Sequence, residues 1–267
     1  MMVFFLSKDF EEKYVKEVEV RRVEKKRLKR IKDEDLLETV EEVFDRATLM
    51  SLYDLLNRGI IDEMLGVISA GKESRVYWAK SHEGDLAVKI YLTSSMEFRK
   101  SILQYIAGDP RFEGVKRETR HLIYTWALKE YKNLEEALRA GVRVPRPIKA
   151  HRNILVMEFI GEEGVPAPLL KECTLSMEEA KEIFEEVLNF IKLLYTKAEI
   201  VHADLSEFNM MLWNGKCYLI DFGQAVSIKH PLAHEYLIRD LKNVIRFFSE
   251  NGVEVPEVQE VYEWVVK

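Results

Sequence analysis

The sequence predicts an α+β chain of two lobes: an antiparallel sheet with one long helix, then a mostly helical half, with extra helices in front. Three observations predict it. Residues 61–91 alternate and are rich in β-formers, giving strands at Leu65–Ser69, Arg75–Ala79 and Leu86–Tyr91. Residues 116–140 carry an apolar stripe at helical spacing (Ile123, Trp126, Ala127, Leu134, Leu138) and stop at Gly141, a residue suited to the left-handed helix end. Beyond Gly161 lie three more helical stretches, from Ser176 to about Thr196, Tyr236–Asn251 and Glu257–Lys267. The first opens on Ser176-Met177-Glu178-Glu179, a capping-box pattern.

The expected division is a charged arm over 1–34, helices packed on the next unit over 35–60, an N-lobe over 61–160 and a C-lobe over 161–267. Leu36, Leu37, Val40, Val43 and Phe44 form one front helix face, and Leu49, Leu52, Leu55 and Leu56 the other. Between 93 and 115 the periodicity lapses around Gly108-Asp109-Pro110, so this insert is expected to be mobile or to carry substrate. At 267 residues, 47% hydrophobic, the chain can bury a sizeable core. A net charge of −6 argues against a general nucleic-acid binder. The basic run from Arg21 to Lys32 lacks the interleaved aromatics that stack on bases, and reads as a solvated face or an RNA-backbone contact. Two cysteines without a signal peptide point to a reducing, cytoplasmic setting, and no apolar run is long enough for a membrane span.

The chemistry is concentrated in Ile200–Gln224, IVHADLSEFNMMLWNGKCYLIDFGQ. His202-Ala203-Asp204, then Asn209, then Asp221-Phe222-Gly223 is the order found in protein-kinase-like phosphotransferases. Phosphoryl transfer needs positioning, and cations against phosphate oxygens. Asp204 would accept the proton of an attacking hydroxyl, while Asn209 and Asp221 offer oxygens to Mg²⁺. His202 reads as a brace for the loop. Upstream, Lys89 sits in Leu86-Ala87-Val88-Lys89-Ile90-Tyr91, and a lysine on an apolar strand is costly to bury unpaired. Glu118, Glu130, Glu135 and Glu136 could pair with it; Glu130 is preferred because it borders the buried face of its helix. Ser69-Ala70-Gly71-Lys72-Glu73-Ser74 stands where a nucleotide-covering loop belongs, with Gly71 allowing close approach and Ser69, Lys72 and Ser74 supplying donors. Val156-Met157-Glu158-Phe159-Ile160-Gly161 reads as an edge strand entering a hinge. There the Glu158 C=O and Ile160 N–H would meet adenine, with Met157 at the back of the pocket.

These segments together resemble the RIO atypical protein kinases, most closely the type-one branch in its archaeal form. The resemblance rests on ISAGKESRVYWA, LAVKIY, GDPRF, TWALKEYKNL, VMEFIG, IVHADLSEFN and LIDFGQAV, and spans roughly residues 35–250. It implies a trimmed two-lobed kinase fold without activation segment or peptide-docking helices. It also implies ATP with Mg²⁺ (Mn²⁺ as a substitute), serine/threonine phosphorylation largely of itself, ATPase turnover, and work on precursors of the small ribosomal subunit. Gly71-Lys72-Glu73 is kept, whereas Ser74-Arg75 stands where Ala-Asn is more usual. The resemblance also raises Asp221 as an acceptor of phosphate in its own right. Thr93, Ser94, Ser95 and Ser101 are candidate autophosphorylation sites in the insert. Two other readings compete. A small-molecule kinase shares the same motif logic, but the stretch after Asp221 is short for its substrate helices. An ATP-gated assembly factor would use hydrolysis as a release switch.

Overall fold

The computed structural model describes residues 44–93, 102–112, 114 and 118–267. The arm over 1–34 and the first front helix fall outside these residues, as do Ser94, Ser95 and Ser101.

Helix α1 (Arg46–Asn57) is started by Asp45, whose carboxylate accepts from the Thr48 N–H at 2.8 Å. It lies against a five-stranded antiparallel sheet of order β1-β2-β3-β5-β4, made of Glu63–Ala70, Ser74–Ser81, Gly84–Tyr91, Ile154–Glu158 (β5) and Pro147–His151 (β4). The period of two along each strand sorts the side chains. Leu86, Val88 and Ile90 of β3, with Ile154 and Val156 of β5, face α1 and pack with Leu52, Leu55 and Leu56. The alternate residues Tyr91 and Leu155 join the larger core containing helix α2 (Thr119–Arg139). Lys89 therefore shares the α2 side of the sheet with Ala87 and Tyr91. The sheet is sandwiched, which explains why β3 reads as a nearly continuous apolar run.

After β5 the chain crosses a hinge into a small hairpin, β6 (Gly161–Glu162) and β7 (Val165–Pro166), where the Ala167 N–H returns to the Ile160 carbonyl at 2.9 Å. The second lobe follows. Helix α3 (Met177–Thr196) is opened by the reciprocal Ser176–Glu179 cap. Short ribbons β8 (Ile200–Val201) with β11 (Val226–Ser227), and β9 (Met210–Trp213) with β10 (Lys216–Leu219), carry the motif-bearing loops between them. Helices α4 (Ala233–Glu250) and α5 (Val258–Val266) close the lobe; α4 begins a turn earlier than the sequence suggests. One continuous core runs from Tyr91 and Ile123 through Phe184 and Phe222 to Phe248 and Val265.

The insert expected to be mobile is corrected in part. Ile102, Tyr105, Ile106 and Phe112 are buried in the main core. Tyr105 packs its ring 6.1 Å from Trp126 of α2 and 5.5 Å from Tyr236 of α4. Asp109 is buried too, its carboxylate held by the Arg111 guanidinium and reached by the Ser227 N–H. Among its described residues, 102–106 are helical and Pro110–Phe112 is a 3-10 turn, pieces too short to show a period although their apolar residues are core. Thr93, at the edge of this insert, donates to the Asp45 carboxylate at 2.9 Å.

Gly161 is a fixed point of the hinge. Its φ is +148°, and a Cβ there would stand 2.2 Å from the Val165 carbonyl oxygen. Gly161→Ala should therefore cost about 2–4 kcal/mol in urea unfolding through backbone strain and overlap. A parental unfolding midpoint would mean that the hairpin yields freely.

Candidate active site

Lys89 is the meeting point of three elements. Its Nζ donates to Glu130 Oε1 of α2 at 2.9 Å and to Asp221 Oδ1, in the loop after β10, at 2.8 Å. Of the four glutamates weighed on the sequence, Glu130 is the one that reaches it; Glu135 and Glu136 pair with Arg139 instead, and Glu118 lies beside His121. Burial alone would pull the lysine pKa down, but the two carboxylates outweigh it and hold the ammonium protonated above its ordinary value. Burial pushes Glu130 up, to about 7, against the attraction of Lys89 and a hydrogen bond from the Phe222 backbone. Burial also works against the ionised Asp221, yet the contact with Lys89 keeps its carboxyl below the usual range. The Asp221 side chain stays half exposed while that of Lys89 is only 8% exposed. Asp221 thus turns one oxygen to the lysine and stands at the mouth of the interior.

Asp204 lies across the same loop system. Its Oδ2 accepts from Asn209 Nδ2 at 3.2 Å and from Gln224 Nε2 at 3.1 Å, and its backbone carbonyl accepts from the same Asn209 amide at 2.8 Å. With Nδ2 committed to Asp204, the Asn209 Oδ1 is the atom left for a cation. Burial raises the Asp204 pKa, and the negative charge of Asp221 raises it further. That shift suits a carboxylate that must take up a proton.

Two residues that carry this geometry have left-handed backbones: Ala203 at φ +63° and Asp221 at φ +61°. A non-glycine residue holds that conformation only when its surroundings over-determine it. Asp240, buried inside α4, accepts from the Ala203 N–H at 2.7 Å and the Leu205 N–H at 2.9 Å. Arg239 donates to the Ala203 carbonyl, and Asn243 donates to the Leu205 carbonyl at 3.1 Å. Burial pushes the Asp240 pKa up to about 7, against these donors. The sequence had left Asp240, Arg239 and Gln224 without a role; a buried-looking Asp in an amphipathic helix was the one available signal.

The remaining predicted residues sit as follows. Ser69, at the end of β1, and Gly71, Lys72 and Glu73, in the turn to β2, are all exposed, and the Gly71 N–H closes the turn on the Ser74 carbonyl at 2.9 Å. The charge of Glu73 contributes to the raised Asp204 pKa. Met157 packs against the main core, Ile160 is buried, and the Glu158 side chain accepts from the Arg146 N–H at 3.1 Å. These residues line one edge of the interlobe region, apart from the Lys89 cluster.

Residues 75–261 match the RIO domain. The chain belongs to the RIO family. Its relatives include kinases of the Rio1 type and RIO3 kinases. It is 44% identical over 239 residues to the human serine/threonine-protein kinase RIO1, covering 88% of this chain and 42% of that one. It is 41% identical over 237 residues to the RIO-type serine/threonine-protein kinase Rio1 of Haloferax volcanii, covering 88% of this chain and 80% of the relative. For Rio1 of Methanocaldococcus jannaschii the identity is 38% over 230 residues, with 86% and 77% covered. The chain thus spans less than half the length of the human and Caenorhabditis elegans relatives it matches. Among solved structures, the Rio2 kinase-ADP/Mg²⁺-phosphoaspartate complex from Chaetomium thermophilum superposes with a TM-score of 0.59 at 21% identity, covering 82% of this chain and 66% of that one. That likeness speaks for the fold: a RIO-type, protein-kinase-like α+β architecture. Among the described residues no helix is long and apolar enough to cross a membrane.

His202 supplies a testable consequence. Its Nε2 faces the Ile220 carbonyl at 3.1 Å, its ring meets Phe222 edge-on, and among the described residues its Nδ1 has no hydrogen-bond partner. Burial lowers its pKa from 6.5 to about 4, so the folded protein holds it neutral. The unfolded chain then binds more protons between those two values, and stability falls as the pH drops through that window. The loss is at most about 3 kcal/mol by the linkage of pKa to stability. Unfolding measured from pH 7 to pH 4 should show this acid sensitivity, reduced in His202→Gln. Equal pH dependence in the two proteins would exclude His202 as its source.

Proposed function

We propose that this chain is a Mg·ATP-dependent serine/threonine protein kinase that phosphorylates itself. The observation that carries the reading is the convergence of Lys89, Glu130 and Asp221, with Asp204 and Asn209 beside them, in a chain of the Rio1 type. In this reading the Gly71-Lys72-Glu73 turn, with Ser69, covers the nucleotide. Met157, Glu158 and Ile160 line its base end. Lys89, positioned by Glu130, engages its phosphates. Asp221 and the Asn209 Oδ1 hold Mg²⁺, and their donor set fits a hard cation that prefers oxygen. The bound ion would neutralise charge on the phosphate oxygens.

Asp204 acts as the base. Both amide donors go to Oδ2, which leaves Oδ1 to accept the proton of an attacking serine or threonine hydroxyl. The hydroxyl oxygen then bonds to the γ-phosphorus as the bond to ADP breaks. The substrate beyond the chain itself is inferred to be a precursor particle of the small ribosomal subunit. The Rio1 resemblance supports this, and the basic run from Arg21 to Lys32, outside the described residues, suits an RNA backbone.

A second reading is favoured by one observation. Asp221 is half exposed, and the Chaetomium Rio2 kinase was captured as an ADP/Mg²⁺-phosphoaspartate complex. Here the γ-phosphoryl group passes to an Asp221 oxygen, and water later releases it as inorganic phosphate. The chain would then serve as an ATP-gated assembly factor.

Single-turnover reaction with γ-labelled ATP and Mg²⁺ separates the two. Asp204→Ala should lower acid-stable phosphoprotein formation by ~10²–10⁴, the range for losing a positioned base. Label recovered as free phosphate, with a base-labile intermediate absent in Asp221→Asn, supports the second reading. Parental turnover in both variants would remove these residues from the chemistry altogether.

A further inference from the structure

Helix α2 meets the Asp221 loop with two successive residues, and only one of them belongs to the site described above. Glu130 reaches Asp221 through Lys89. Its neighbour Lys129 is 0% exposed, and among the described residues it makes no ion pair. Its ammonium donates to the Gly223 carbonyl at 2.8 Å and also to the Ala225 carbonyl, over the face of Trp126. One turn on, Asn133 donates from Nδ2 to the Phe222 carbonyl at 2.9 Å and the Ala225 carbonyl at 3.0 Å. Its Oδ1 accepts from Arg111 at 2.8 Å. A guanidinium has donors only, so Arg111 fixes which way the Asn133 amide faces. Trp126, Lys129, Glu130 and Asn133 form one stripe on α2. Gly223 is seated directly on that stripe, since a Cβ on it would lie 3.2 Å from Trp126 Nε1.

Burying an ammonium against neutral carbonyls is expensive, and an apolar side chain of similar volume packs such a place at lower cost. What the lysine adds is direction: two fixed donors on the turn that follows Asp221. We propose that Lys129 and Asn133 are positioning residues, a clamp on the Phe222–Ala225 turn that holds Asp221 in its left-handed, Lys89-bound pose for the cation. The clamp rests on the reading of Asp221 as a Mg²⁺-holding carboxylate. It makes the seating of α2 and the aim of Asp221 one mechanical unit: the same helix holds Asp221 through Glu130 and Lys89 on one side, and through the turn carbonyls on the other.

The test uses the full chain and compares the parent with Lys129→Met, Asn133→Ala, Asp221→Asn and the remote core variant Val265→Ala. Each is measured for thermal stability, for single-turnover rate, and for the Mg²⁺ concentration giving half the maximal rate at saturating ATP. Lys129→Met and Asn133→Ala should each raise that Mg²⁺ requirement and lower the rate by about tenfold, as expected for misplacing a reacting group without removing it. The double variant should add little to either, because the two residues hold one turn. Val265→Ala should lower stability while leaving the Mg²⁺ requirement parental. If Lys129→Met does not fold, Asn133→Ala decides alone. Parental Mg²⁺ dependence in the clamp variants, with Asp221→Asn inactive, overturns the clamp and leaves the site reading intact. A fully active Asp221→Asn overturns the site reading itself, and the clamp with it.

Discussion

An ammonium group taken out of water must be paired or hydrogen-bonded, and Lys89 meets that demand with two carboxylates that tie the molecule together. It stands on a strand whose other face is sealed by α1, so its only exit is toward α2 and the cleft. One carboxylate comes from α2 and the other from the loop after β10, residues 41 and 132 positions away in the chain. Satisfying one side chain therefore fixes sheet, helix and C-lobe loop relative to one another. The same constraint explains the electrostatics: Lys89 stays charged, Asp221 stays ionised, and Glu130, the more deeply buried carboxylate, is the one pushed upward.

Around this contact several buried polar groups of both lobes are committed to backbone. Asp240 takes the Ala203 and Leu205 N–H groups, His202 meets the Ile220 carbonyl, and Lys129 and Asn133 take carbonyls from Phe222 to Ala225. The two left-handed residues of the loops, Ala203 and Asp221, lie inside this web. Strain at a reacting centre is stable only where neighbouring bonds leave the backbone no alternative. Here those bonds come from α2 and α4, the two helices buried on opposite sides of the loops.

The segment 102–112 completes the enclosure. Its Tyr105 fills the space between Trp126 and Tyr236, His230 reaches the Ala107 carbonyl at 3.0 Å, and Asp109 receives the Ser227 N–H. A stretch between the lysine strand and its helix is thereby tied to the chain just beyond Asp221. This brings part of the N-lobe insert into the support of the loop that carries Asp221.

The sequence by itself determined the residue types and their order. A base, an amide and an acid at the spacing of Asp204, Asn209 and Asp221, and a lysine on an apolar strand, are demanded by the chemistry, and chemistry is written locally. The helices and most strands were legible for a similar reason: period and caps are short-range. The insert reads as core only in the structure, because its helical stretch at 102–106 and the 3-10 turn after it are too short to show a period. Asp240, Lys129 and Asn133 were silent because they bind backbone groups far along the chain, 94 positions away for the Lys129 contact with Gly223. A side chain that binds a distant carbonyl leaves no pattern in its neighbours. Only the packing of α2 and α4 about the loops decided which donors meet which acceptors, and so which way Asp221 points.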